Sequence, residues 1–202
     1  MLEPVFVLAL FLLYVGLWRI KQVNLIRKTG IDPQVLDKSC SNLQRYFGMY
    51  TKLMTVYGIV IMVFLTINFQ IGSLFTRVNE ISSIGFDATG LVIGLAGLSL
   101  CLYAQIKMGT SWRVGIDEQS STSLVTTGLY AYIRNPTYVG LFFFNLGLWV
   151  IWPTWAMFLL NLLFILFLEV QVRCEEDFLT TTHGEEYLAY KKRTKRYIPF
   201  IY

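Results

Sequence analysis

Residues 128–170 read GLYAYIRNPTYVGLFFFNLGLWVIWPTWAMFLLNLLFILFLEV. A polar, basic loop is stopped by Pro136, and two apolar runs follow, Tyr138 to Ile151 and Trp155 to Val170. Each approaches the length of about 20 residues that a helix needs to cross a hydrocarbon core. They meet at Trp152-Pro153, which leaves little room for a loop. The junction therefore predicts a tight helical hairpin with Pro153 starting the second arm. Trp149, Trp152 and Trp155 cluster around it and suit an interfacial belt.

The same hydropathy recurs upstream, at Pro4 to Trp18, about Leu53 to Phe69, and about Leu91 to Ile106 with an extension back toward Ile84. Hydrophobic residues make up 55% of the 202-residue chain and charged residues only 15%, against about 25% in a soluble domain. The mean hydropathy is +0.54. One soluble core cannot hide that much apolar surface. The expected fold is an all-α integral membrane protein with about five transmembrane helices, the last two a hairpin. Its length suits one domain spanning 1–202. Glu3 stands where a signal peptide would be basic, and Arg19 and Lys21 read as a stop-transfer flank, so the first run is kept as a mature helix.

Lys and Arg set the expected orientation. Arg19, Lys21, Arg27, Lys28, Lys38, Arg45 and Lys52 lie before or at the start of the second run. Lys107, Arg113 and Arg134 lie before the fourth, and Arg173, Lys191, Lys192, Arg193, Lys195 and Arg196 in the tail. Arg77 is alone between the second and third runs. With five spans the basic segments share one side, so the N-terminus is expected outside and the C-terminus in the cytoplasm. The net charge of +4 is explained by that basic face; the lipid bilayer is the expected partner and nucleic acid is not. Cys40, Cys101 and Cys174 are scattered, His183 is the single histidine, and no metal-ligand spacing is present, so no metal site is expected. The tail from Arg173 is too charged to span. It reads as an amphipathic cytoplasmic helix over Val172 to Tyr190, broken near His183-Gly184, with Phe178, Leu179, Tyr187 and Tyr190 as its apolar contacts.

Two polar clusters fall on this basic side: the loop from Trp112 to Tyr138, and Arg173-Cys174-Glu175-Glu176-Asp177. A hairpin returns its two outer ends to one level, so Tyr138 and Arg173 are expected within a helix diameter or two. Arg134 offers a fork of donors suited to a carboxylate or phosphate; it is equally suited to anchoring on lipid phosphate. Asn135 supplies an acceptor and a donor and does not titrate. Tyr130, Tyr132 and Tyr138 can face a flat ring or a sulfonium cation, or sit in an interfacial belt. Glu175 and Glu176 can accept from ribose hydroxyls or an ammonium group, or be solvated. Glu169, deeper in the last run, is expected to pair with Arg173, four residues on.

As an ordered set these residues resemble the isoprenylcysteine carboxyl methyltransferase family in its broad sense, with its small prokaryotic relatives and, more distantly, phospholipid methyltransferases. The resemblance rests on Ser123 to Tyr130, Arg134-Asn135-Pro136-Thr137-Tyr138-Val139-Gly140, Glu175-Glu176, His183 to Tyr190 and Ile198-Pro199-Phe200. It implies a membrane methyltransferase without a Rossmann fold, using S-adenosylmethionine. Residues 91–202 would form the cofactor-binding catalytic part and 1–90 the N-terminal spans and linkers. By the same resemblance the cofactor would be held by Thr122, Ser123, Leu124, Val125, Tyr130, Asn135, Pro136, Thr137, Tyr138 and Glu175. Arg134 would be catalytic, stabilising or orienting an anionic group, and Arg173 would bind an amphiphilic or lipid-modified substrate entering from the bilayer.

The chain departs from the family at two positions. The usual Arg-His-Pro reads Arg134-Asn135-Pro136, which removes an acid or base from the loop. The arginine that eukaryotic members carry four residues before the cofactor glutamate is Gln171 here. A second resemblance, to sterol-type membrane reductases that bind a nicotinamide cofactor, rests on the same loop and on Arg196-Tyr197-Ile198-Pro199-Phe200-Ile201-Tyr202. A third reading is a non-enzymatic scaffold whose basic tail meets anionic lipid.

Overall fold

The computed structural model describes residues 2–36, 42–67, 72–78, 83–117 and 122–198. Lys38, Cys40, Phe69 and the terminal Pro199-Phe200-Ile201-Tyr202 lie outside them. Among the described residues six α-helices follow one another: α1 Glu3–Thr29, α2 Asn42–Thr66, α3 Ile84–Met108, α4 Pro136–Ile151, α5 Trp155–His183 and α6 Glu185–Arg193. Helices α1, α2, α3 and α5 are each long and apolar enough to cross a membrane. The chain is a multi-pass membrane protein. α4 is apolar but only 16 residues, about 24 Å at 1.5 Å per residue, and runs between the same two ends of the bundle.

Helix α4 packs most intimately on α3, antiparallel to it. A Cβ added at Gly97 would lie 2.5 Å from the Gly140 carbonyl oxygen and from the Phe144 nitrogen. One added at Gly147 would lie 2.6 Å from the Gly90 oxygen and the Gly94 nitrogen. The backbones touch there, as small residues permit between membrane helices, where lipid competes equally for larger apolar side chains.

Two expectations about the hairpin change. Pro153 does not start the second arm: Thr154 is the N-cap, its hydroxyl accepting from the Met157 N–H, so α5 begins at Trp155. Trp152 is no belt residue but is buried among Val7, Leu10, Ile61 and Ile151. Trp155, at 57% exposure, keeps the outward position. Arg77 is also more than a lone linker charge. It donates to Glu3 at 2.7 Å, to Asp87 at 3.4 Å and to the Ile151 carbonyl at 3.1 Å. That end of α1, α3 and α4 is thereby tied around one neutralised cation.

At the opposite end, α1 closes on Gly30 and the chain pairs with the loop after α3: Val114 donates to the Pro33 carbonyl at 2.9 Å and Val35 to the Val114 carbonyl at 3.1 Å. α5 continues well past hydrocarbon thickness before breaking at Gly184 (φ 54°), near the place read from the sequence. It carries Glu175 and Glu176 out to the level of the polar loops.

Candidate active site

The polar loop folds inward because its backbone is tied down at several points. Gly128, at φ 67°, opens a single 3-10 turn over residues 128–131; a Cβ there would lie 2.7 Å from the Tyr103 hydroxyl. The turn buries Tyr130, whose carbonyl accepts from the Tyr190 hydroxyl at 2.7 Å. Burial pushes the Tyr190 hydroxyl up to about 12, so it remains a neutral donor. The chain after α6 then lies alongside the loop: Lys195 donates to the Tyr132 carbonyl at 3.0 Å, and Arg134 to the Lys195 carbonyl at 2.8 Å. Asn135, kept out of the helical region before Pro136 (φ −125°, ψ 54°), donates its side-chain amide to the Arg196 carbonyl at 3.4 Å.

Below this strap sits a buried ionic knot. Glu176, 2% exposed, accepts from Arg134 Nε at 2.9 Å and from Arg196 Nη2 at 2.9 Å, with Lys191 Nζ at 3.4 Å. Arg134 Nη1 turns to the Thr194 carbonyl at 2.6 Å and the Lys191 carbonyl at 3.3 Å. A buried carboxylate and guanidinium pair only repays desolvation when the remaining lone pairs and protons also find partners, as they do here. Glu169 pairs with Arg173 at 2.7 Å, as expected, and also accepts from Arg196 at 3.2 Å and from the Tyr197 hydroxyl at 2.6 Å. Arg196 and Tyr197 are the residues that sequence reasoning passed over. The available signal was Glu169 and Glu176, seven apart on one face of α5, which require more cations than Arg173 supplies.

Two cavities adjoin at this level. The first, about 120 Å³, lies among the loops, α5 and α6. Thr122, Ser123, Leu124, Val125, Tyr130, Asn135 and Glu175 line it, with Arg134, His183 and Tyr187. The second, about 170 Å³, runs inward between helices past Tyr14, Trp18, Phe164, Phe167 and Leu168. Thr137 and Tyr138 belong to it. Tyr130, Arg134, Asn135 and Glu175 border both. At the junction the Tyr138 hydroxyl donates to Glu175 Oε2 at 2.9 Å. The Thr137 hydroxyl and the Gln171 carbonyl oxygen, both in the second cavity, and the Tyr187 hydroxyl in the first, are buried without a hydrogen-bond partner. Buried polar atoms are ordinarily satisfied, so this is a site with bonds left to make.

The structure therefore brings together most of the residues named from the sequence, with three differences. Arg173 lies outside both cavities, 57% exposed at its side chain and paired with Glu169. Arg134 borders the cavities, but its Nε and Nη1 hold Glu176 and the strap. Pro136 is buried at the first turn of α4, fixing the loop from behind. Among the described residues no group of His, Cys, Asp and Glu is placed to hold a metal ion.

Residues 87–186 match the phospholipid methyltransferase family. The chain is 34% identical over 121 residues to a mouse protein-S-isoprenylcysteine O-methyltransferase, covering 57% of this chain and 42% of that one. It is 33% identical over 88 residues to a methanethiol S-methyltransferase of Crocosphaera subtropica, covering 42% of this chain and 32% of that one. A solved structure of the eukaryotic intramembrane Ras methyltransferase, isoprenylcysteine carboxyl methyltransferase, superposes with a TM-score of 0.61 at 25% identity, over 74% of this chain and 53% of that one. The chain thus spans about half, or less, of the length of these relatives. The matched segment starts in α3 and ends at the second residue of α6; it contains Arg134 and Glu176 of the ionic knot and most of the cavity wall, while the strap and Arg196 lie beyond it. Over that segment, 100 of its 202 residues, the chain resembles the phospholipid methyltransferase family and the isoprenylcysteine methyltransferases in particular.

Proposed function

We propose that the protein transfers a methyl group from S-adenosylmethionine to an amphiphilic or lipid-linked acceptor at the cytoplasmic face of its membrane, with the N-terminus outside and the C-terminus in the cytoplasm. The observation that carries this reading is the meeting of two unlike cavities at one wall. The first opens among the loops and carries more charged and hydroxyl side chains; the second, richer in aromatic side chains, runs into the bundle. A third cavity, about 130 Å³, continues from the second along α2 and α5, past Met54, Gly58 and Leu160. A polar donor and an apolar chain would reach the shared wall from different phases.

The residues present suit the donor. Thr122 to Val125 supply a loop edge, Tyr130 an aromatic face, Glu175 a carboxylate, and Asn135, Thr137 and Tyr138 the rim. A sulfonium donor presents a methyl already activated for in-line displacement. The chain then has to position the two reactants and exclude water. Tyr138 and Glu175 hold the wall where the cavities join, while Thr137 and Gln171 offer unpaired hydrogen-bonding atoms to whatever enters. We assign Arg134 to positioning: it locks Glu176 and the strap, which sets Asn135 and Glu175. An acceptor with a thiolate, amine or carboxylate meets these requirements.

The test is incubation of the purified protein with a membrane lipid extract and labelled methyl donor, followed by mass spectrometry. A labelled amphiphile that disappears with Glu175→Ala supports the reading. Label confined to the donor, with every extract fraction unmodified, overturns it.

A further inference from the structure

On the far side of α1 from these cavities, a groove of about 1080 Å³ runs between α1 and α3. Its walls are leucines, among them Leu12, Leu17, Leu95 and Leu102. Gly16 lies on an open stretch of it, where an added Cβ would meet nothing within 4 Å. The groove is not uniformly apolar. Gln105 lines it, is 1% exposed, and has neither its amide nitrogen nor its carbonyl oxygen hydrogen-bonded. Lys21 and Lys28 line the end near Gly109, on the basic side of the bundle; Lys21 Nζ donates to the Gly109 carbonyl at 3.0 Å.

We propose that this groove is a binding site for one anionic glycerophospholipid, with an acyl chain along the leucines and the headgroup at Lys21 and Lys28. A groove meant only for bulk lipid tails needs no pair of ammonium groups at its rim, and a lipid phosphate there faces two cations placed at headgroup level. The site is separate from the proposed methyl-transfer cavities and does not depend on their function.

The experiment is native mass spectrometry of the 202-residue protein from detergent, titrated with phosphatidylglycerol or with phosphatidylcholine of the same acyl chains. The protein retains one phosphatidylglycerol with roughly tenfold preference, the size expected for one to two lysines near an anionic headgroup. Lys28→Gln reduces that preference and Gly16→Leu, which fills the groove in open space, abolishes the retained lipid while the thermal melt is kept. Equal retention of the two lipids, or an undiminished phosphatidylglycerol adduct in Gly16→Leu, overturns the proposal. So does a dimer that Gly16→Leu splits, since a second copy would then be the occupant.

Discussion

The Tyr138 hydroxyl donates to Glu175 Oε2 at 2.9 Å and so joins the first turn of α4 to the extramembrane end of α5. Both helices reach this point from the same turn at Trp152 to Thr154, so the contact closes the hairpin around the wall that the two cavities share. A hydrogen bond to a charged acceptor is worth about 1.5–3 kcal/mol. Tyr138→Phe should therefore weaken binding of S-adenosylhomocysteine about tenfold or more if Glu175 must be held to meet the ligand. Unchanged affinity would mean that Glu175 needs no partner.

Glu176 and Arg134 form a buried pair, and removing one partner strands the other. Arg134→Met and Glu176→Met should each cost about 3–5 kcal/mol of stability, and the double variant much less than their sum. Thermal denaturation in one detergent across the four proteins measures the coupling. Additive losses would show that the knot is not a unit.

Helices α3 and α4 touch through backbone. Gly97→Ala should cost about 1–3 kcal/mol or more, because the new methyl meets the Gly140 carbonyl and the Phe144 nitrogen rather than a flexible side chain. Gly16→Ala, in open space, should be neutral or stabilising by about 0.5–1 kcal/mol. The melting temperatures of the two variants make the comparison.

The Tyr190 hydroxyl is raised by burial from 10.0 to about 12. Its folded value lies above its unfolded one, so its contribution to stability is complete below about pH 10 and fades as the pH rises toward 12. Tyr190→Phe should lose about 1 kcal/mol at neutral pH through the missing bond to the Tyr130 carbonyl. It should also show a shallower loss of stability than the wild type between pH 10 and 12. Parallel curves for the two proteins would contradict this.

Much of the architecture was legible in hydropathy and charge. Apolar runs of spanning length located the helices, and the break at Gly184 fell close to its expected place. Ser123, Leu124, Val125, Tyr130, Arg134, Asn135, Thr137, Tyr138 and Glu175 belonged to an ordered set and line adjoining cavities. Other features were hidden because they arise from packing between distant segments. Gly90, Gly97, Gly140 and Gly147 look like ordinary membrane glycines until α3 and α4 are laid antiparallel, although their seven-residue spacing within each helix was visible. Arg196 reads as one more basic tail residue until the strap returns it to α5. Trp152 reads as a belt residue because a sequence does not show which tryptophan of three turns inward. Arg77 reads as a stray cation until Glu3, Asp87 and the Ile151 carbonyl converge on it.

The central claim is that the loop-lined cavity is a methyl-donor site. Titration calorimetry of the folded protein in detergent with S-adenosylhomocysteine, alongside reduced NADP, tests it most directly. The account predicts saturable binding of S-adenosylhomocysteine that Glu175→Ala weakens, and no heat with the nicotinamide. No binding of S-adenosylhomocysteine to folded protein, or saturable binding of the nicotinamide in its place, would contradict it.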